Sequence, residues 1–187
     1  MHMFNFIKTI WWQFIKTPYS YAKHVGVKMG EGCYISTRNF PTEASFIELG
    51  NYVRVAKGTS FYTHGGIWSL RNIYNDKKLD YFGKIKVGDN TYIGEDCKIM
   101  PGVTIGRECI IGAGTVLSKS VPDGCMVAGN PCKFIGYTDD FYKRIKRKSV
   151  ESGNMAYVEK MAYLDSLPDT DFVVKDLIRI PEDKVRR

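Results

Sequence analysis

The stretch Val87–Pro122, cut into sixes, reads VGDNTY, IGEDCK, IMPGVT, IGRECI, IGAGTV and LSKSVP. Each six opens on an aliphatic residue and holds a small or β-branched residue in its fifth place. The openers are Val87, Ile93, Ile99, Ile105, Ile111 and Leu117, and the fifth-place residues are Thr91, Cys97, Val103, Cys109, Thr115 and Val121. A shift of one residue destroys this pattern, so the period of six indicates a repeating structure.

A short fixed period is typical of a solenoid, in which each repeat buries its apolar residues against its neighbours. Three sixes make one triangular coil of about eighteen residues, and successive coils stack by parallel β pairing about 4.8 Å apart. The aliphatic opener then points into the core and the fifth residue fills the space beside it. The repeat therefore predicts a mainly β fold.

The same pattern continues toward the N-terminus in a less regular form. MGEGCY begins at residue 29, and LGNYVR and VAKGTS occupy residues 49–60. The pattern stops at His64 and resumes near residue 85, so residues 64–84 are predicted to form an extended loop, which in a regular solenoid is usually functional. We expect an N-terminal helical segment (1–25), a β-helix (26–136) and a C-terminal helical extension (137–187) with helices at 138–150 and 154–167.

Residues 3–17, MFNFIKTIWWQFIKT, have the periodicity of a helix, and Pro18 is predicted to end it. One interpretation is a lid on the first coil or against a neighbouring subunit. The other is peripheral contact with an anionic membrane, because basic helices with Trp and Phe suit that interface. Residues 1–30 hold four lysines and no acidic residue.

Composition excludes several classes of function. The net charge of +7 forms no broad basic face, so no nucleic-acid partner is expected. Five cysteines without a CxxC pair favour core-filling thiols over zinc or a redox dithiol, and no metal is expected. Free thiols indicate a reducing, cytoplasmic location, at the inner face of the membrane if the membrane interpretation of residues 3–17 holds.

His64 is the candidate for catalysis among three histidines. His2 is terminal and His24 closes the leading helical segment, whereas His64 stands where the repeat opens into the loop. A lone histidine is more often structural, but a neutral imidazole at such a site can take a proton from a hydroxyl near neutral pH. None of the cysteines lies in the loop, which disfavours an acyl-cysteine intermediate.

THGG entering a long loop, followed by IKVGDNTYIGEDCKIMPGVTIGRECIIGAGTVLSKSVPDGCMVAGNPCKFI, resembles the hexapeptide-repeat acyltransferases. Within them it is similar to the galactoside/maltose acetyltransferase and polysaccharide O-acetyltransferase branch, over residues 30–136. This resemblance implies a left-handed parallel β-helix, acetyl-CoA as co-substrate, and a homotrimer with active sites between subunits. It also implies that His64 is the general base in a direct transfer within a ternary complex.

The resemblance assigns five residues to the CoA site. Tyr92 stands where relatives often carry Trp beside the CoA arm, and the backbone of Ala113 matches a contact with pantetheine. Ser118 and Lys119 match a Thr–Lys pair near the distal end of the cofactor, and Lys133 matches a basic residue near its phosphates. For Ala113 and Lys119 the structural alternatives are a corner residue and a solvated charge. The basic run 143–148 is either a solvated helix face or a second contact with CoA phosphates.

Four residues are candidates for binding the acceptor. Trp68, Arg71 and Tyr74 lie in the loop, where aromatic faces can pack on sugar rings and Arg can bind hydroxyls or a carboxylate. The alternative for Trp68 and Tyr74 is that they anchor the loop on a neighbouring coil. Asn39 lies in the early polar bend and is a weaker candidate.

The sequence thus predicts O-acetylation of a hydroxyl on a sugar or on a cell-envelope or capsular glycan precursor. Acetylation of a xenobiotic such as chloramphenicol or a streptogramin, and N-acetylation of an amino sugar, remain alternatives. A zinc hydratase of the γ-carbonic anhydrase type needs three histidines, whereas only His64 lies in the repeat region. A non-catalytic scaffold is disfavoured by a histidine at the mouth of the loop.

Overall fold

Three ladders of short parallel strands form the three sides of a solenoid in the computed structural model, which describes residues 11–177. Side A contains β1 (Lys28–Met29), β3 (Ile47–Leu49), β6 (Ile85–Val87) and β9 (Thr104–Ile105). Side B contains β2 (Tyr34–Ile35), β4 (Arg54–Val55), β7 (Tyr92–Ile93), β10 (Ile110–Ile111) and β12 (Cys125–Ala128). Side C contains β5 (Ser60–Phe61), β8 (Lys98–Ile99) and β11 (Val116–Leu117). The predicted mainly β architecture of parallel sheets is confirmed.

The register of the ladders stacks equivalent places of the repeat on one another. Ile93 pairs with Ile111, Ile99 with Leu117 and Val87 with Ile105, each pair being one regular coil apart. All six predicted openers and all six fifth-place residues are buried. On each side of the solenoid, a column of aliphatic openers and a neighbouring column of fifth-place residues therefore fill one continuous core, as predicted.

The fourth place of most repeats lies at a corner of the solenoid and has a left-handed backbone conformation. Glycine adopts it without steric cost, and short polar residues adopt it more readily than most. The residues with this conformation include Tyr52, Gly58, Asn90, Asp96, Gly102, Glu108 and Gly114. These corners direct the chain from one side of the solenoid to the next.

Glycine in the second place of the repeat allows neighbouring coils to approach closely. A Cβ atom on Gly94 would lie 2.6 Å from the backbone nitrogen of Ala113 and 2.8 Å from the carbonyl oxygen of Ile111. Gly88 is similarly close to the backbone of Arg107, at 2.6 Å. A side chain at either position would push the coils apart.

The N-terminal part of the described chain covers the first coil. Trp11–Ile15 forms one π-helical turn, and helix α1 follows over Pro18–Val25. The sequence pattern predicts that a helix ends at Pro18. The turn Trp11–Ile15 does end before Pro18, and the same proline occupies the first turn of the second helix, α1, where a missing N–H costs nothing. The Thr17 hydroxyl caps α1 by accepting from the Ser20 N–H at 3.2 Å. Residues 3–10 of the predicted helix lie outside the described residues.

Ala22 joins helix α1 to the core of the solenoid. It is completely buried, in the same apolar cluster as Val27 and Ile35. The aromatic rings of Tyr21 and Phe40 lie 6.5 Å apart between their centroids. Helix α1 therefore packs on the first coil, and both interpretations of residues 3–17 stay predictions.

The parallel ladders end where strand β13 (Lys133–Tyr137) folds back antiparallel to β12. Helix α3 (Thr138–Lys146) follows, and Thr138 is joined to the solenoid through the carbonyl oxygens of Gly124 and Glu108. Two compact units meet in sequence at Asp140 and Phe141, and the second contains helix α4 (Tyr157–Ser166). Both C-terminal helices are shorter than predicted. Within residues 11–177, no helix has the length and hydropathy needed to cross a membrane.

We predict that Gly94→Ala lowers the free energy of unfolding by about 1–3 kcal/mol, because the added Cβ collides with backbone atoms of the next coil. Urea denaturation followed by circular dichroism measures the change. Gly65→Ala is the matched control, since nothing lies within 4 Å of the Cβ that it would add. Equal stabilities of the two variants would contradict the close approach of the coils.

Candidate active site

His64 lies at the corner where the chain leaves side C of the solenoid. Strand β5 is extended by the Tyr62 N–H, which donates to the carbonyl oxygen of Ile99 at 2.9 Å. Thr63 then points inward and is completely buried, whereas the side chain of His64 is 46% exposed. The last contacts of the regular coil therefore fix the backbone of the histidine and leave its ring accessible.

Glu43 is the partner of the imidazole. Its Oε2 lies 3.1 Å from Nδ1 of His64 and accepts a hydrogen bond from the Thr63 hydroxyl at 2.9 Å. Glu43 directly precedes a 3₁₀ turn, Ala44–Phe46, in which Ala44 is completely buried. The carboxylate is therefore held from both sides, by a turn packed on the core and by a hydroxyl from the neighbouring coil.

Hydrogen bonds keep Glu43 ionised. The Thr42 hydroxyl, which donates to Oε1 at 2.7 Å, is the main cause that lowers the pKa of Glu43 below its ordinary value. Thr63 and the neighbouring His64 lower this pKa further, whereas partial burial opposes them. An ionised carboxylate only accepts hydrogen bonds, so Nδ1 of a neutral His64 carries the proton and Nε2 presents a lone pair. This arrangement prepares Nε2 to accept a proton.

The two ends of the loop meet beside His64. The N–H of Gly83 donates to the carbonyl oxygen of Thr63 at 2.8 Å. The ring of Phe82 stands edge-on to the imidazole, with centroids 5.3 Å apart, and edge-on to Phe46, at 6.0 Å. The loop therefore closes at its base, and Phe82 near its C-terminal end packs against His64.

The loop contains helix α2 (Ile67–Ile73), which buries none of its residues in the described structure. Arg71 stabilises the loop, since its Nε donates to the carbonyl oxygen of Leu79 at 2.6 Å and its guanidinium pairs with Asp80 at 3.1 Å. Trp68 and Tyr74 are 75% and 73% exposed. These two rings are thus available for an acceptor or a neighbouring subunit, whereas Arg71 is already engaged within the loop.

The predicted CoA residues divide into two groups on a single chain. Ser118 and Lys119 follow β11 at the corner between sides C and A. In the register of side C they lie two coils beyond Tyr62 and Thr63, which is about 10 Å along the solenoid. Tyr92 projects from side B, and Ala113 lies at the corner after β10. Lys133 opens strand β13. One solenoid therefore places Ser118 and Lys119, but not Tyr92, on the corner that carries His64.

Asn39 forms part of the connection between the first two coils. It pairs with Ser60 in a parallel bridge, and its amide nitrogen donates to the carbonyl oxygen of Gly58 at 3.1 Å. The structure therefore gives Asn39 a structural contact, while its assignment to the acceptor stays a prediction.

Glu43 is the site residue that the sequence analysis missed. Regular coils pair residues eighteen apart, as Tyr92 with Ile110, but the first coil is longer, and Asn39 pairs with Ser60 at a separation of twenty-one. Glu43 and His64 are separated by the same twenty-one residues. Because the first coil is irregular, the repeat pattern does not predict that the carboxylate of Glu43 lies one coil away from His64.

Two of the five cysteines lie in the middle of the repeat and fill the core. Cys97 and Cys109 are completely buried, as their place in the repeat predicts, and burial is the main cause that raises the pKa of each thiol. Among residues 11–177, no group of three His, Cys, Asp or Glu side chains is arranged to hold a metal ion.

The sequence is similar to those of several known bacterial proteins. A family model described as bacterial transferase hexapeptide (six repeats) matches residues 84–119. Protein CapG of Staphylococcus aureus is 36% identical over 146 residues, which are 76% of this chain and 84% of that protein. The putative acetyltransferase SAR2635 of S. aureus strain MRSA252 is 31% identical over 67% of this chain and 62% of that protein.

Among solved structures, a maltose O-acetyltransferase from Clostridium difficile 630 matches with a TM-score of 0.50 and 30% identity. The match covers 65% of this chain and 62% of that one. The chain thus spans less than two thirds of the length of SAR2635 and of the maltose O-acetyltransferase.

We predict that Cys97 and Cys109 resist alkylation by iodoacetamide in the native protein, because burial removes access and keeps both thiols protonated. Mass spectrometry of tryptic peptides, with and without urea, measures the modification. Half-buried Cys33 is the internal reference and should react faster. Native alkylation of Cys97 at the rate seen in urea would contradict the buried assignment.

Proposed function

This chain belongs to the hexapeptide-repeat acyltransferase family, and we propose that it transfers an acetyl group from acetyl-CoA to a hydroxyl of a sugar or glycan precursor. Membership implies the left-handed winding of the coils, and the prediction of an acyltransferase is confirmed at the level of the family. The observation that carries the specific proposal is the Glu43–His64 pair at the mouth of the loop.

His64 acts as the general base in this proposal. Nε2 accepts the proton of the acceptor hydroxyl while Nδ1–H remains bonded to Glu43, whose charge stabilises the imidazolium that forms. The oxygen attacks the thioester carbonyl, and backbone N–H groups stabilise the resulting oxyanion. Collapse expels the CoA thiolate, which takes the proton from His64 and restores the neutral imidazole.

The donor is proposed to bind along the solenoid with contacts from two chains. Ser118 and Lys119 share the corner that carries His64, whereas Tyr92 and Ala113 face a different direction on the same chain. A neighbouring copy can supply the second group, which supports the proposed homotrimer with active sites between subunits. Lys133 is proposed to contact the CoA phosphates as a point charge. No metal is required by this chemistry.

The acceptor is proposed to be a saccharide held between His64 and the loop. Exposed Trp68 and Tyr74 offer aromatic faces for a sugar ring, and the solved relative named for maltose supports this substrate class. Arg71 would act by shaping the loop, and Asn39 remains a further candidate. We propose a cytoplasmic location, at the inner face of the membrane if the acceptor is a cell-envelope or capsular precursor. Residues 3–17 are then proposed to contact the membrane peripherally.

Release of free CoA tests the base directly, over a panel of sugars, nucleotide sugars, amino sugars and chloramphenicol. We predict that His64→Ala lowers kcat by about a hundred- to ten-thousandfold, because no other group takes the proton. Sugar-dependent release supports the proposed substrate class, whereas turnover with only chloramphenicol or only an amino sugar moves the chain to one of the alternatives. Full activity in His64→Ala would overturn the assignment of the base.

Glu43→Gln separates orientation of the base from binding of the donor. We expect kcat to fall at least about tenfold, because an amide no longer enforces the Nδ1–H tautomer, while KM for acetyl-CoA stays unchanged. Glu31→Gln is the matched control, a carboxylate that accepts from the Tyr52 hydroxyl in the early coils. The same loss in both variants would mean that Glu43 contributes only to folding.

Sedimentation equilibrium tests the assembly. We predict a mass of three chains at micromolar concentration, since Tyr92 and Ala113 of one chain lie away from the corner that carries its own His64. A monomer that retains full activity would contradict the proposed site between subunits.

A further inference from the structure

The C-terminal unit contains an open groove of about 670 Å³ with an apolar floor. We call this groove and its rim the C-terminal surface. Its apolar lining comes from helix α3 (Phe141 and Ile145), from Val150 shortly after that helix, and from a later segment (Val173 and Val174). The rim carries four bases and one acid: Arg144, Lys146, Lys148, Lys175 and Asp176. The surface thus combines apolar area with positive charge.

The apolar side chains of this unit are not used for a core. Among residues 141–177 only Ser152 is buried, and the large apolar residues stay partly or fully exposed. Val174 is 79% exposed and Leu177, just beyond the groove, is 93% exposed. Contiguous exposed apolar area of this kind marks a surface that meets another phase or partner.

Most bases of the rim have no carboxylate partner among the described residues. In the solenoid some bases are paired, since Lys28 and Lys86 flank Glu48 and Arg107 pairs with Asp123 at 3.0 Å. On the rim, Lys146 pairs with Glu151, but within the described range 11–177 no carboxylate lies within 4.0 Å of Arg144, Lys148 or Lys175. The Arg144 guanidinium lies 5.2 Å from the centroid of the Phe141 ring. Among the described residues, three positive charges at the edge of the apolar floor therefore have no carboxylate partner.

We propose that the C-terminal surface docks on an anionic phospholipid membrane. The three uncompensated bases meet lipid phosphates, and the apolar floor takes up acyl-chain carbons at the boundary of the headgroups. Charge complementarity selects this occupant, because a basic rim around exposed aliphatic side chains matches an anionic interface with hydrocarbon beneath it. The proposal needs neither donor nor acceptor, so it stands or falls independently of the acyl transfer.

Sedimentation of the full chain with vesicles tests the proposal. Wild type should bind phosphatidylcholine vesicles that contain phosphatidylglycerol and bind poorly to phosphatidylcholine alone. Arg144→Gln/Lys148→Gln/Lys175→Gln should partition about a hundredfold more weakly, since each of the three bases near an anionic surface contributes roughly a fivefold effect. The control Lys57→Gln/Lys86→Gln/Lys98→Gln removes the same charge from the solenoid and should retain binding.

Val173→Asp/Val174→Asp removes apolar area and adds negative charge at positions too exposed to be needed for folding. We expect it to abolish vesicle binding. Failure of wild type to sediment would overturn the proposal, as would loss of binding in Trp11→Ala/Lys16→Gln with binding retained in the C-terminal triple variant. Unchanged vesicle binding in the Asp variant together with a smaller oligomer would show that a second copy covers this surface instead.

Discussion

The parallel stacking of one coil on the next is the constraint on which the rest of the structure depends. Equivalent places of the repeat lie directly over each other, so an aliphatic column on each of the three sides, with small residues beside it, fills the interior. Glycine in the second place permits this approach, because a Cβ there would meet the backbone of the next coil. The solenoid is therefore rigid wherever the pattern is kept, and variation is confined to corners.

The active-site candidate arises at a corner where the pattern is interrupted without disturbing the stack. Thr63 keeps its inward place, and its carbonyl oxygen receives the returning chain at Gly83. His64 thus stays fixed to the solenoid while the loop projects beyond it. Glu43 reaches the same point from the preceding coil, so the orientation of the imidazole depends on the packing of two coils and not on the loop alone.

Periodicity was sufficient to predict the strands, the buried columns and the position of the loop, because each repeat makes the same contacts. It did not reveal Glu43, since the first coil departs from eighteen residues and shifts the pairing to twenty-one. It predicted that the first helical segment ends at Pro18 but not that a second helix begins there, because proline is compatible with the first turn of a helix as well as with the end of one. Ion pairs within the loop, such as that between Arg71 and Asp80, cannot be predicted from the spacing of residues.

The position of the proton on the His64 ring tests the proposed mechanism most directly. The protein contains only three histidines, so few NMR signals need to be distinguished. Nitrogen-15 NMR of histidine-labelled protein at mildly alkaline pH reports which ring nitrogen is protonated. We predict a protonated Nδ1 and an unprotonated Nε2 for His64, and weakening of that preference in Glu43→Gln. A proton held on Nε2 in the wild-type protein would contradict the claim that Glu43 prepares this histidine as a base.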